Sequence, residues 1–252
     1  MSELLRTQGI TPDGTGKFYV VDSNKGTIRQ IAPDGHVTTL VGSSNTNKID
    51  FRNGPLTEAT FFNPYDLALD KAGNLYVTDL VNSCIRKIST DKIVSTFAGL
   101  PRVYGNKDGG RDFATFDGPT VLTIDSQENL FTAEFRQARI RKITPTGEVS
   151  TLAGGGEDGL TAGYQDGPGK TALFGSEITD IVFDPAGSMY VSDVYNRAIR
   201  KIDLNGTVST VVGKKVDGGK PLISEAINAL AFDQSGNLYA ATERVIYRIR
   251  LK

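Results

Sequence analysis

One seven-residue segment recurs five times along the chain and constrains the fold more than any other feature. It reads Gly16-Lys17-Phe18-Tyr19-Val20-Val21-Asp22, Gly73-Asn74-Leu75-Tyr76-Val77-Thr78-Asp79 and Glu128-Asn129-Leu130-Phe131-Thr132-Ala133-Glu134. It returns as Gly187-Ser188-Met189-Tyr190-Val191-Ser192-Asp193 and as Gly236-Asn237-Leu238-Tyr239-Ala240-Ala241-Thr242. Successive copies lie 57, 55, 59 and 49 residues apart, so the array runs from end to end. A period of this length means that each copy is one supersecondary unit that buries its apolar face only against its neighbours. The 252 residues are read as one domain, 1–252, with repeats at approximately 6–42, 63–99, 118–154, 176–213 and 226–252.

The second copy shows what one unit contains. Residues 65–70 alternate apolar and polar side chains, and Lys71-Ala72-Gly73 supplies a turn. Residues 75–78, 85–88 and 93–99 are rich in β-formers and are separated by short polar connections. Four strands joined in this way make an antiparallel meander. Turns at Asp13-Gly14, Asp34-Gly35, Thr146-Gly147, Asn205-Gly206 and Ser235-Gly236 place a glycine where positive φ is needed. Sustained helical periodicity is missing, and a hydrophobic content of 38% suits many half-buried strands. The expected fold is all-β: a β-propeller of five four-stranded blades. The fifth copy has only three strands, at 229–232, 238–241 and 245–249. Either residues 2–5 supply its fourth, or the chain is a shortened array of a six-bladed propeller.

Net charge is -1 with both signs interspersed, which argues against a nucleic-acid partner. No apolar run reaches the length of a membrane span, and the first residues lack the basic start and apolar core of a signal peptide. The single Cys84 excludes an intrachain disulfide. Its register positions in other copies hold Thr27, Arg139 and Ala198, so it is expected to be an inert, partly exposed thiol. The single His36 falls in the turn after the third strand of copy one. With one histidine and one cysteine far apart, zinc sites, histidine triads and Cys–His pairs are excluded.

Asp22, Asp79, Glu134 and Asp193 end the second strands, and Arg29, Arg86, Arg141 and Arg200 follow seven residues later. In the fifth copy Thr242 and Tyr247 stand instead, so acid and arginine vanish together. The four pairs are expected to be structural, each arginine forking onto its carboxylate across the connection between second and third strands.

The Leu-Tyr-Val-x-Asp strand, the Asn82…Ile85-Arg86-Lys87-Ile88 box and its twin Asn196…Ile199-Arg200-Lys201-Ile202 resemble NHL repeats. The resemblance covers nearly the whole chain, although Asn82-Ser83-Cys84, Gln137-Ala138-Arg139 and Asn196-Arg197-Ala198 stand where the family often has Asn-His-Leu. The connections in which Asp-Gly precedes Ala-x-Phe resemble those of bacterial surface NHL proteins, which implies a cell-surface or extracytoplasmic setting.

Function is expected on the long connections at 42–63, 100–118, 154–175 and 213–225, since ordered loops on a rigid scaffold carry most binding sites. In a propeller these connections share a face with the turns between second and third strands. Candidate ligand-binding residues are Tyr65, Tyr104, Arg111, Phe135, Tyr164 and Tyr195. The loops repeat Asn53-Gly54, Asp108-Gly109, Asp166-Gly167 and Asp217-Gly218, read as turns, followed by Ala59/Phe61, Ala114/Phe116 and Ala172/Phe174, read as apolar plugs. Asp108, Asp112, Asp158 and Asp166 are the residues a calcium ion would use, although these segments do not follow the twelve-residue calcium-loop spacing. The expected function is non-enzymatic: a monomeric module with no cofactor that recognises a protein, peptide or glycan. A calcium-dependent hydrolase or lactonase built on carboxylates and a purely structural spacer are the alternatives.

Overall fold

The computed structural model describes Leu4 and residues 7–42, 51–135, 137–156, 160–213 and 223–251. The first sheet contains β1 (Thr7–Pro12), β2 (Phe18–Asp22), β3 (Thr27–Ile31) and β4 (Val37–Val41). The second contains β5 (Gly54–Pro55), β6 (Pro64–Leu69), β7 (Leu75–Asp79), β8 (Cys84–Ile88) and β9 (Ile93–Ala98). The third consists of β10 (Pro119–Ile124), β11 (Leu130–Glu134), β12 (Arg139–Ile143) and β13 (Val149–Gly154). The fourth comprises β14 (Gly167–Pro168), β15 (Ile178–Phe183), β16 (Met189–Asp193), β17 (Ala198–Ile202) and β18 (Thr207–Val212). The fifth has β19 (Ala229–Phe232), β20 (Leu238–Ala241) and β21 (Ile246–Ile249). One 3-10 turn at Ser23–Lys25 is the helical content among the described residues, and none of it is long enough to cross a membrane. Five antiparallel meanders of this kind are the blades of a five-bladed β-propeller, the fold class expected from the repeats. The expected pairing of residues 2–5 with the fifth sheet lies outside the described residues, apart from Leu4, which is in no strand.

The chain divides into two compact units, one formed by 1–132 with 143–150 and the other by 133–142 with 151–252, and the third sheet contributes to both. In the first unit, Ala59 and Phe61 join Val21, Ile28, Leu67 and Val77 in one core cluster. Ala114 and Phe116 join Tyr76, Ile85, Phe97 and Leu122 in a second. The Ala-x-Phe segments are therefore plugs, as their recurrence implied. In the second unit, Ala172 and Phe174 are fully buried, and Ile223 and Ile227 pack with Tyr190, Ile199 and Leu238.

Position within the sheet sets the burial of each strand. The second strands β7 and β16 are buried at every residue, because neither face meets solvent. The fourth strands β9 and β18 begin with exposed residues alternating with buried ones, as edge strands do. Two details depart from the sequence reading. Asn53-Gly54 and Asp166-Gly167 do not form simple turns: Gly54-Pro55 and Gly167-Pro168 add two-residue strands to the outer edges of β9 and β18. Their glycines stand at φ +128° and +139°, a region that side-chain-bearing residues avoid. Cys84 is fully buried rather than partly exposed, because β8 opposes Asp79 at that register and packs against both sheet neighbours.

Candidate functional site

The acid–arginine pairs form closed clamps, and two of them are nearly superimposable in their chemistry. In the second sheet, Arg86 Nη1 donates to Asp79 Oδ2 at 2.9 Å and to the Thr60 carbonyl at 3.0 Å. Its Nη2 donates at 2.8 Å to both the Arg52 carbonyl and Asn53 Oδ1. The guanidinium lies over the rings of Phe51 and Phe61, 4.3 and 4.9 Å from their centroids. In the fourth sheet, Arg200 Nη1 reaches Asp193 Oδ2 at 3.0 Å and the Leu173 carbonyl at 2.9 Å. Its Nη2 reaches the Gln165 carbonyl at 2.8 Å and Asp166 Oδ1 at 2.7 Å, between Tyr164 and Phe174. The fork is thus split between the strand carboxylate and the long connection, and does not close bidentately on one acid as the sequence had implied. A β-bulge sits between Ile85 and Arg86 and between Ile199 and Arg200, so the ladder itself is broken where each arginine leaves it.

The remaining carboxylate positions are filled locally. Asp79 accepts from Asn82 Nδ2 and the Phe62 amide, and Asp193 accepts from Asn196 Nδ2 and the Gly175 amide. Burial raises the pKa of both carboxyls, against the pull of these donors and of the arginines. The first sheet carries a looser version, with Arg29 3.8 Å and Lys25 3.9 Å from Asp22. In the third sheet the longer Glu134 receives Arg141 Nη1 at 3.1 Å and, additionally, Arg139 Nε. Arg139 occupies the register position of Cys84. Arg86, Arg141 and Arg200 reach their carboxylates directly and Arg29 lies 3.8 Å from Asp22, while the Nε atoms of Arg86 and Arg200 are buried without a hydrogen-bond partner.

The exposed candidates lie on the connections. In the first unit Tyr104 is 56% exposed while its hydroxyl donates to the Val81 carbonyl, and Arg111 is exposed beside Gly147. Tyr65 is half-buried. In the second unit Phe135 and Tyr195 are 50% and 69% exposed, whereas Tyr164 turns one face to Arg200. Phe113, 75% exposed, was not singled out from the sequence. It stands where the equivalent loops have Glu58 and Thr171, both polar, and that contrast within the repeats was the available signal. Of the residues named for calcium, Asp166 accepts from Arg200, the Thr210 amide and the Thr210 hydroxyl. Asp108 and Asp112 are exposed, and Asp158 lies outside the described residues. Among the described residues no three His, Cys, Asp or Glu side chains converge as a metal site. His36 is exposed in its turn, with its amide on Asp34.

The second unit also contains an open cleft of about 540 Å³ beside Tyr195, lined by Glu177, Arg197, Glu225, Glu243 and Arg244 among others. Its walls are the β16–β17 connection, the segments before β15 and β19, and the β20–β21 hairpin. The Val194 amide donates to the Glu177 carbonyl, and the Thr242 hydroxyl accepts from the Arg244 amide, so both walls are tied to the backbone.

No family model matches the sequence. The chain is 31% identical over 228 residues to Teneurin-3 of Danio rerio and 29% identical over 221 residues to Teneurin-1 of Mus musculus. These alignments cover 80% and 79% of this chain but only 8% of either relative, so the chain spans a small part of their length. Among solved structures, an auxiliary nutrient binding protein from Bacteroides thetaiotaomicron superposes with a TM-score of 0.70 at 13% identity, over 99% of this chain and 61% of that one. A selenomethionine-substituted virginiamycin B lyase from Staphylococcus aureus gives 0.63 at 16% identity, over 96% and 66%. A putative gluconolactonase gives 0.63 at 12% identity, over 97% and 74%. At these identities the structural likeness concerns the fold alone. Repeats, sheets and neighbours together make this chain a β-propeller protein.

Proposed function

We propose that this chain is a binding module whose repeats are of the NHL type and whose partner, a protein, peptide or glycan, docks on the long connections. Neighbours of the same fold are named as binding proteins and as enzymes, so the residues must decide between them. One observation favours binding: the charged pairs repeated through the chain are consumed by the scaffold, while large aromatics stand exposed on the connections at Tyr104, Phe113, Phe135 and Tyr195. Rigid aromatics held by their own backbone offer contact area at little entropic cost and are the commonest anchors of interfaces. The module acts as a monomer and uses its own side chains for recognition.

The test is to probe peptide and glycan arrays with the labelled protein and with Tyr104→Ser and Tyr195→Ser variants of unchanged thermal midpoint. Signals that weaken by about tenfold in at least one variant support docking on the connections. Signals indifferent to both changes, or turnover of a lactone by the wild-type protein, overturn it.

A further inference from the structure

The cleft beside Tyr195 forms where the repeat is broken. Copies one to four carry an acid and an arginine at the β2–β3, β7–β8, β11–β12 and β16–β17 connections, whereas the fifth has Thr242 and Tyr247. Its hairpin is two residues shorter and closes on itself, with Thr242 Oγ1 accepting from the Val245 amide at 3.1 Å. No arginine clamp fills the space in front of it. Glu243 and Arg244 at the hairpin tip, Glu177 and Glu225 on the preceding segments and Tyr195 and Arg197 on the β16–β17 connection face the resulting cleft.

The chemistry of this lining differs from that of the acid–arginine clamps. Among the described residues none of these charged side chains is in an ion pair, whereas the acid–arginine charges are all paired. Glu225 Oε2 is shut off from solvent and receives no hydrogen bond. A carboxylate oxygen sequestered in this way lacks the donor that such oxygens almost always have. Beside it, Tyr195 presents a ring of which 69% of the residue surface is free. An aromatic face next to unpaired carboxylates is the setting that holds an ammonium or guanidinium group, through charge-assisted hydrogen bonds and cation–π contact.

We propose that the cleft binds a basic group, the guanidinium or ammonium of an arginine or lysine side chain presented by a peptide partner. Glu225 turns its sequestered carboxylate toward the cleft and takes the cation, Glu177 and Glu243 flank it, and the Tyr195 ring covers it. Arg197 and Arg244, exposed at the rim, receive an acidic residue next to the basic one. This assignment rests on the binding-module reading and gives its partner a chemistry.

The experiment titrates N-acetyl-arginine amide into the protein and follows binding by NMR, with N-acetyl-citrulline amide as the uncharged isostere. The arginine probe is expected to bind about tenfold more tightly than citrulline. Glu225→Gln, which preserves the shape of the side chain, is expected to erase that preference, and Tyr195→Ala to weaken the arginine probe about tenfold. Equal binding of the two probes, no binding of either, or a preference unaffected by Glu225→Gln overturns the assignment. Should the arginine probe fail while array signals still depend on Tyr195, the binding module stands and the basic-group specificity falls. Should the probe behave as expected while array signals ignore the loop aromatics, the cleft stands without the wider docking surface. A Glu225→Gln protein with altered thermal midpoint is replaced in the series by Glu243→Gln, whose residue is exposed.

Discussion

Replacing Arg200 by methionine tests the clamp most severely. The side chain is fully buried, donates four hydrogen bonds and lies between two aromatic rings. Methionine keeps much of the volume and leaves the ring contacts, but strands the buried Asp193 carboxylate and the Gln165 and Leu173 carbonyls. Breaking a buried ion pair from one side costs about 3–5 kcal/mol, because a charge is left without its partner. In a chain of this length each kcal/mol moves the unfolding midpoint by about 2–4 °C, so a fall of about 6–20 °C is expected. Asp166→Ala removes the other end of the same guanidinium, but the Asp166 side chain is 48% exposed and the loss should be about 0–1 kcal/mol. The double change Asp193→Asn with Arg200→Met should cost less than the sum of its single changes, by about 0.5–3 kcal/mol of coupling. Urea unfolding of the four variants measures all of this. A loss below 1 kcal/mol for Arg200→Met, or strict additivity with Asp193→Asn, would refute the view that the pair is a buried clamp.

Three further outcomes follow from the same geometry. Burial pushes the Cys84 thiol well above its ordinary range, so iodoacetamide should label it only after unfolding; prompt labelling of the native protein contradicts the packing of β8. Gly154 stands at φ +89°, where a Cβ would come 2.3 Å from the Ala138 carbonyl and 2.8 Å from the Phe174 ring. Gly154→Ala should therefore cost about 2–5 kcal/mol from backbone strain and overpacking together, and a neutral effect on the urea midpoint would sink that reading. Burial raises the Asp180 carboxyl above its unfolded value of 3.8, against the amides of Leu230 and Ile181 that it accepts. Its contribution to stability is then full below 3.8 and is lost as pH rises through the raised folded value. The stability difference between wild type and Asp180→Asn should fall across that window, and a constant difference would contradict it.

The strands were readable in the sequence because each one repeats a period-2 pattern next to a glycine turn, and repetition averages away local ambiguity. Asp79 with Arg86 and Asp193 with Arg200 were readable for the same reason: a pair that disappears together in the fifth copy behaves as a unit. What the arginine does with its second nitrogen was not readable. Asn53 and Asp166 lie more than thirty residues away along the chain, and only the folded connection brings them to Arg86 and Arg200. Arg139 was hidden by the longer reach of Glu134, which let a second cation enter the same position. Tyr195 was nominated as an exposed aromatic, but the cleft around it depends on the short β20–β21 hairpin and on two linkers, and no local pattern reports how three segments converge.

Asp166 on its long connection is held in the scaffold by Arg200 and Thr210, and the proposed binding module needs no metal. Thermal unfolding in excess calcium and again in chelator tests this most directly. The two midpoints should coincide. A cation bound at a hundred times its dissociation constant would add about 2.7 kcal/mol, which raises the midpoint by about 5–11 °C. A rise of that size would contradict the metal-free reading and revive the calcium-dependent hydrolase as the alternative.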